Sequence, residues 1–164
     1  MWFYVLSLVV VLLDQGTKAY MSRLLPLCEP GNCQSIPVLP FFNLTLLHNQ
    51  GAAFSFLNDA GGWQRWLLVF ISTSVSAVVA IWLYRVYRQE KLLALALALV
   101  LGGAVGNLID RVVTGYVVDF LFFYYHNWSF PAFNVADSAI SVGAALLVLD
   151  MFFKPGRQDE VNSA

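Results

Sequence analysis

The sequence predicts an all-α membrane protein with four transmembrane helices, a small extracytoplasmic β-strand platform and one interfacial or re-entrant segment. Hydrophobic residues make up 59% of the 164 positions and charged residues only 12%, against about 45–50% and 25% in soluble domains. Two runs without a charge, residues 66–84 and 92–109, approach the roughly 20 apolar residues that cross a bilayer as a helix. All six prolines lie outside the apolar runs, as uninterrupted helices require.

Four helices are therefore expected in a single domain, residues 1–164, with bounds near residues 2–21, 66–84, 92–111 and 136–153. The first run has no basic stretch before it and no small-residue cleavage site after it, so we predict a retained helix and not a removable signal peptide. Five lysines and arginines lie in the 85–91 loop and the C-terminal tail, against three on the opposite side. This bias predicts cytoplasmic termini and extracytoplasmic segments at about 22–65 and 112–135.

The two extracytoplasmic segments contain short structural elements. Residues 42–46 alternate apolar and polar side chains, which predicts a half-buried strand. Residues 116–125 are strongly apolar but too few to span as a helix, so we predict an interfacial or re-entrant piece. A turn is expected at residues 59–62. The long outer segments 46–62 and 116–130 are candidates for a lid over a site.

Ionisable residues inside the spans need a reason, because a charge at the centre of a bilayer costs about 2.5–3.5 kcal/mol on insertion scales. Asp14 and Lys18 are four residues apart on the first helix, so they share a face and can pair. Such a pair either fixes helix packing or takes part directly in a site. Asn107 and Arg111 have the same spacing on the third helix. Arg111 can extend to the interface, whereas a buried Asn107 amide needs hydrogen-bond partners.

The third and fourth helices carry further signals. Gly102 and Gly106 form a small-xxx-small pair, which predicts close helix packing. Asn134 is a candidate N-cap, and helix capping alone accounts for an acid at Asp137 in the first turn. Asp119 lies in an apolar aromatic run, where a carboxylate must be paired, protonated or facing a cavity. If Asp119 and Asp137 meet on the outer side, they share a proton and can act as general acid and general base.

Several other chemistries are disfavoured. Nine lysines and arginines against ten acids leave no basic excess for binding nucleic acid. His48 and His126 have no acidic or cysteine neighbours at metal-ligand spacing, so no zinc site is expected. Ser55 and Ser138 have no histidine partner in a nucleophile arrangement.

Five blocks of the sequence, taken in order, resemble the bacterial lipoprotein signal peptidases, also called type II or prolipoprotein signal peptidases. The blocks are residues 14–18 (Asp-Gln-Gly-Thr-Lys), 49–55 (Asn-Gln-Gly-Ala-Ala-Phe-Ser), 102–111 (Gly-Gly-Ala-Val-Gly-Asn-Leu-Ile-Asp-Arg), 117–120 (Val-Val-Asp-Phe) and 133–138 (Phe-Asn-Val-Ala-Asp-Ser). Each block is weak alone, but five in this order are highly specific, and the resemblance extends from about residue 8 to 153.

The resemblance implies an aspartic endopeptidase of the bacterial inner membrane, with its active site at the extracytoplasmic face. Its substrates are prolipoproteins, cut on the N-terminal side of a cysteine that carries diacylglycerol. It implies that Asp119 and Asp137 are the catalytic pair, that no metal or organic cofactor is needed, and that the cyclic peptide globomycin inhibits. A monomer in contact with membrane lipid is expected. The residues expected to bind substrate or support the site are Asp14, Lys18, Asn49, Gly51, Asn107, Arg111, Asn134 and Ala136.

Two matters stay open at this point. Segment 26–36 looks like a local expansion relative to the family and carries Cys28 and Cys33, which form a disulfide on an oxidising outer face or remain free thiols. The competing hypothesis for the whole chain is a small proton-coupled transporter subunit with Asp14, Asp119 and Asp137 as a relay. A purely structural four-helix subunit is a third reading, but it leaves Asn107 and Asp119 unexplained.

Overall fold

The computed structural model describes residues 1–51, 62–126 and 128–153. These residues form four long helices, which are α1 (Trp2–Leu24), α2 (Trp63–Val86), α3 (Lys91–Val113) and α4 (Val135–Phe153). They also form four strands, which are β1 (Ser35–Leu39), β2 (Phe42–Asn49), β3 (Val117–Tyr125) and β4 (Trp128–Ser129). The strands build one antiparallel sheet in the order β1-β2-β3-β4. Because the strands follow α1 and α3 in the chain, the sheet lies at one end of the helix bundle.

All four helices are long and apolar enough to cross a membrane. α3 is the central helix, because it packs against α1, α2 and α4. In its most apolar window 56% of the residues are buried, against 17–22% in the other three helices. Large apolar side chains such as Trp2, Phe70 and Phe152 are exposed on the outside of the bundle, as expected where hydrocarbon takes the place of water. The predicted four-helix membrane architecture is confirmed, and the helices extend up to three residues beyond the expected bounds.

Small residues allow α3 to approach its neighbours closely. A Cβ added at Gly102 would lie 2.7 Å from the Cβ of Val10 and 2.8 Å from the carbonyl oxygen of Ser7, both on α1. A Cβ at Gly103 would overlap the carbonyl oxygen of Ala136 on α4. The Ser7 hydroxyl donates to the carbonyl oxygen of Ala98 on α3 at 2.8 Å. The glycines therefore serve packing, as their spacing predicted.

The sheet extends the predictions for the outer segments. The strand expected at 42–46 is present and continues to Asn49. Residues 116–125, expected as an interfacial or re-entrant piece, contain β3, which pairs with β2 from Val117 to Phe123 and with β4 at Tyr124 and Tyr125. Val118 and Phe120 of β3 pack against the end of α1 at Met21. The first four residues of β3 are buried, which accounts for its apolar character, and its backbone groups bond to β2, to the carbonyl oxygen of Phe133 and to the Asp110 carboxylate.

The two cysteines form a disulfide in the segment that follows α1. Cys28 and Cys33 are bonded, and the backbone N–H of Cys28 donates to the carbonyl oxygen of Leu46 in β2 at 2.9 Å. The bonded loop is thus attached to the sheet. Outside the described residues lie the turn expected at 59–62 except for Gly62, most of the lid candidate 46–62, and the basic C-terminal tail after residue 153.

Candidate active site

The site is built around the start of α4. Asn134 is the N-cap: its Oδ1 accepts from the backbone N–H of Asp137 at 3.0 Å. In return, Oδ2 of Asp137 accepts from the backbone N–H of Asn134 at 3.3 Å. This is a reciprocal capping box, in which the acid at the third helical position satisfies the N-cap N–H. The helix end therefore holds the Asp137 carboxylate in one orientation.

The Asn134 side chain also contacts the second acid of the predicted pair. Its Nδ2 donates to Oδ1 of Asp119 at 2.7 Å and to the carbonyl oxygen of Val118 at 3.2 Å. The other oxygen of Asp119 accepts from Nδ2 of Asn49, at the end of β2, at 3.1 Å. One asparagine side chain therefore lies between Asp119 and Asp137. The structure brings the two acids into one site, which the sequence did not show.

Asn107 of α3 contacts the other carboxylate oxygen of Asp137. Its Nδ2 donates to Oδ1 of Asp137 at 2.7 Å, and its Oδ1 accepts from the Lys18 ammonium at 2.9 Å. An ammonium group has only donors, so the Asn107 atom beside it must be the oxygen. Lys18 thereby determines that the amide NH₂ of Asn107 faces Asp137.

Lys18 is the centre of a buried ion triad. Its ammonium lies 2.8 Å from Oδ2 of Asp14 and 2.8 Å from Oδ2 of Asp110, with side-chain exposures of 3%, 0% and 7% for the three residues in that order. The predicted pairing of Asp14 with Lys18 is confirmed. Oδ1 of Asp14 accepts from the backbone N–H of Ala136 at 2.9 Å, so an acid on α1 caps the first turn of α4. Gly106 makes this possible, because a Cβ there would lie 2.7 Å from Asp14 Oδ2.

Asp110 and Gln15 are site residues that the sequence analysis missed. Asp110 is buried and accepts from Gln15 Nε2 at 2.8 Å and from the backbone N–H of Val118 at 3.2 Å. It therefore joins α1 to the start of β3. The available signal was its spacing, since Asp110 follows Asn107 by three residues and shares its helix face.

Arg111 lies at the edge of the site and is half-buried. Its guanidinium donates to the carbonyl oxygen of Gly51 and to that of Asn107, both at 3.3 Å. The backbone N–H of Gly51 donates to Oδ1 of Asn49 at 3.1 Å. The ten site residues named from the sequence thus lie in one connected network.

The electrostatics of the site distinguish Asp119 from ordinary surface acids. Burial raises the pKa of Asp119 to about 7, and repulsion from Asp137 acts in the same direction. Hydrogen bonds from Asn49 and Asn134 and the charge of Lys18 oppose this rise in the pKa.

Nearby, His48 stacks on Tyr116 with ring centroids 3.8 Å apart, and burial lowers the pKa of His48. Among the described residues, no three His, Cys, Asp or Glu side chains are placed to hold a metal ion.

Four spanning helices and a buried cluster of carboxylates and amides at one end of the bundle define a polytopic membrane protein with a site suited to acid–base chemistry. The chain belongs to the signal peptidase (SPase) II family, which it matches over residues 6–153. It is therefore a peptidase by family. This membership replaces the hypotheses of a transporter subunit and of a purely structural subunit.

Relatives from several bacteria support the assignment. The chain is 51% identical over 162 residues to a lipoprotein signal peptidase of Alteromonas mediterranea, with 99% of this chain and 86% of that protein covered. It is 53% identical over 163 residues to the Pseudomonas putida protein of the same description, with 98% and 92% covered. A solved bacterial membrane enzyme, determined at 2.3 Å by the in meso method, superposes with a TM-score of 0.75 at 30% identity, covering 92% of this chain and 87% of that one.

Proposed function

We propose that this chain removes the signal peptide from diacylglyceryl-modified prolipoproteins, cutting on the N-terminal side of the lipidated cysteine. Asp119 and Asp137 are the catalytic pair in this proposal. The observation that carries it is the position of the Asn134 amide between the two acids, with contacts of 2.7 Å to Asp119 and 3.0 Å to the backbone N–H of Asp137. Its relatives are described as lipoprotein signal peptidases, which supports the choice of substrate.

The environments of the two acids support different roles. Asp137 is half-buried at a helix N-terminus, where the helix dipole stabilises negative charge, and it accepts hydrogen bonds from Asn107 and from the Asn134 backbone. Asp119 is buried in a strand, and its pKa is raised to about 7. We therefore assign the proton of the pair to Asp119 and the charge to Asp137. An acid–base pair needs such a difference in protonation state between its two members.

The proposed reaction uses these two states in sequence. Asp137 accepts a proton from water as the water oxygen attacks the scissile carbonyl carbon, and Asp119 donates its proton to the carbonyl oxygen. As the tetrahedral intermediate collapses, a hydroxyl proton returns to Asp119 and Asp137 protonates the departing nitrogen of the cysteine. The products are a signal peptide with a free carboxyl group and a lipoprotein with a free amino-terminal cysteine. Both acids regain their initial protonation states.

The depth of the site suits a lipid-anchored substrate. Asp14 contacts the start of α4 although α1 continues for ten more residues to Leu24, a helical rise of about 15 Å. Asp137, which follows Ala136 in α4, thus lies well below the end of α1. A substrate held in the bilayer by its lipid and its signal helix can approach at this level.

We further propose an inner-membrane location, cytoplasmic termini, an extracytoplasmic site, a monomer, and inhibition by globomycin.

The test uses purified protein in detergent micelles and a prolipoprotein supplied in two forms, with and without diacylglycerol on its cysteine. Cleavage is followed by gel shift, and mass spectrometry locates the new amino terminus. We expect the modified form to be cut directly before the lipidated cysteine and the unmodified form to be cut poorly. Equal cleavage of both forms, or a cut at another bond, would contradict the assigned substrate.

The proposed roles predict a pH optimum below about 7. Asp119 retains its proton up to about pH 7 because its pKa is raised to that value. Above it both acids are ionised, and Asp119 has no proton to donate. At low pH both acids are protonated and the general base is lost. We expect kcat/KM, measured between about pH 4 and 9, to be bell-shaped with its alkaline limb near 7; an unchanged rate from pH 6 to 9 contradicts the assignment.

A further inference from the structure

Arg65, in the first turn of α2, is an arginine that the proposed reaction does not use. Its guanidinium extends to the C-terminal end of α3, where Nε donates to the carbonyl oxygen of Arg111 at 2.8 Å and Nη2 donates to that of Val112 at 2.7 Å. The last carbonyl groups of a helix lack helical partners and carry partial negative charge. A rigid, positively charged fork suits two of them at once. Arg65 is therefore a capping group that α2 supplies to α3.

The turn after α3 is shaped around this contact. The backbone N–H groups of Thr114 and Gly115 both donate to the carbonyl oxygen of Asp110, at 2.8 and 3.2 Å, so they are not available to the next two carbonyls. Gly115 has a φ of +90°, and a Cβ there would lie 3.1 Å from Nη1 of Arg65. Glycine thus provides both the left-handed backbone and the space for the guanidinium. β3 begins two residues later, at Val117.

A continuous chain of hydrogen bonds leads from this cap to the proposed catalytic acid. Arg65 holds the backbone of Arg111, and the Arg111 side chain donates to the carbonyl oxygen of Gly51 at 3.3 Å. The Gly51 N–H donates to Oδ1 of Asn49 at 3.1 Å. Nδ2 of Asn49 donates to Oδ2 of Asp119 at 3.1 Å. Because Gly51 holds the oxygen of the Asn49 amide, the NH₂ group faces Asp119.

We propose that Arg65 is a positioning residue, which holds the Asn49 amide against Asp119 through Arg111 and Gly51. The catalytic consequence of this proposal rests on the proposed function, but the placement of the amide does not. Without Arg65 the end of α3 is free to shift. The backbone of Arg111 is then no longer held in place, so its side chain no longer holds Gly51. The Asn49 amide thereby loses the contact that orients it.

The proposal predicts a change in how Asp119 titrates. Among the described residues, the charged groups that face Asp119 are Asp137 from α4, Lys18 from α1 and Arg111 from α3. The Asn49 hydrogen bond stabilises the carboxylate form and so lowers the pKa of Asp119. Burial and the charge of Asp137 both raise the pKa of Asp119. Without the Asn49 hydrogen bond less opposes them, so the pKa of Asp119 rises further. The alkaline limb of the activity profile then moves to higher pH.

The test compares Arg65→Met and Arg65→Lys with Arg23→Met, a matched control in which an exposed arginine at the same end of the bundle is removed. We expect Arg65→Met to lower kcat about ten- to hundredfold with a small change in KM, as misplaced catalytic groups do, and to shift the alkaline limb upward. Arg65→Lys, which keeps a donor for one carbonyl, should fall between wild type and Arg65→Met. Arg23→Met should match wild type. If Arg65→Met does not fold, Arg65→Lys alone decides the question.

A double variant tests whether the effect of Arg65 on Asp119 passes through Asn49. If Arg65 acts through Asn49, adding Arg65→Met to Asn49→Ala causes no further shift of the limb. A full additional shift, or an unmoved limb in folded Arg65 variants, overturns the proposal. Infrared titration gives the same answer without substrate, because it reads the pKa of the Asp119 carboxyl band directly. The band is identified by subtracting the spectrum of the matching Asp119→Asn protein, and its pKa is compared between wild type and Arg65→Met. This titration therefore separates failure of this inference from failure of the proposed function, which an inactive wild type would reveal.

Discussion

Replacing Asp119 or Asp137 with asparagine is expected to lower the cleavage rate by about 10⁴-fold or more, the scale of loss when a member of a catalytic unit is removed. Asparagine keeps the volume of the side chain but neither accepts a proton from water nor donates a carboxylic proton. Each acid acts in both halves of the proposed reaction, so the loss appears in kcat. Cleavage of diacylglyceryl-modified prolipoprotein in micelles, followed by gel shift, measures it.

The matched control for these variants is Asp150→Asn. Asp150 is also buried on α4, but at the opposite end of the helix from Asp137. It should retain wild-type activity if the loss at Asp137 is specific to the site. All three variants are compared by thermal unfolding to show that they fold. Activity that survives in a folded Asp119 or Asp137 variant would mean that the pair is wrongly assigned, even with family membership established.

Replacing Lys18 with methionine is expected to cause the largest loss of stability. The change leaves the Asp14 and Asp110 carboxylates buried without the ammonium that lies 2.8 Å from each. Removing one partner of a buried ion pair costs about 3–5 kcal/mol, which corresponds to a fall of roughly 10 °C in the unfolding midpoint of a chain of this size. Thermal unfolding in detergent, read by circular dichroism, measures the shift.

The triple variant Lys18→Met, Asp14→Asn, Asp110→Asn provides the control. It removes all three charges and keeps an amide oxygen beside Ala136 and Val118, so it should recover part of the lost stability. Its activity should remain low, because Lys18 no longer holds the Asn107 oxygen and the amide is free to turn away from Asp137. A triple variant as unstable as Lys18→Met would show that charge burial is not the cause.

The membrane helices were predictable because their signal is local. Apolar runs of the required length and the positions of the prolines are properties of neighbouring residues, and all four helices appear close to where they were expected. The pairing of Asp14 with Lys18 and the capping role of Asn134 also depend on spacings of three or four residues. Local spacing was sufficient for these predictions.

β3 shows where local patterns fail. Its nine residues are almost all apolar, which is compatible with an interfacial segment or a buried strand. The choice depends on β2, whose Leu47 lies opposite Asp119, and β2 is distant in the sequence. No pattern within the segment itself specifies such a partner.

The sequence by itself determined the membrane class, the four helices and a set of polar residues. Each of these polar residues lies in apolar surroundings and therefore needs a hydrogen-bond or ion-pair partner. Only the tertiary structure decided which of them meet. Asp14 reaches Ala136 across a separation of 122 residues, and Lys18 reaches Asn107 across 89. Asp119 meets Asn134 because β3 and the start of α4 pack together at the end of the bundle. Such contacts depend on how α1, α3 and α4 pack around the glycines of α3, and that packing is a property of the whole chain.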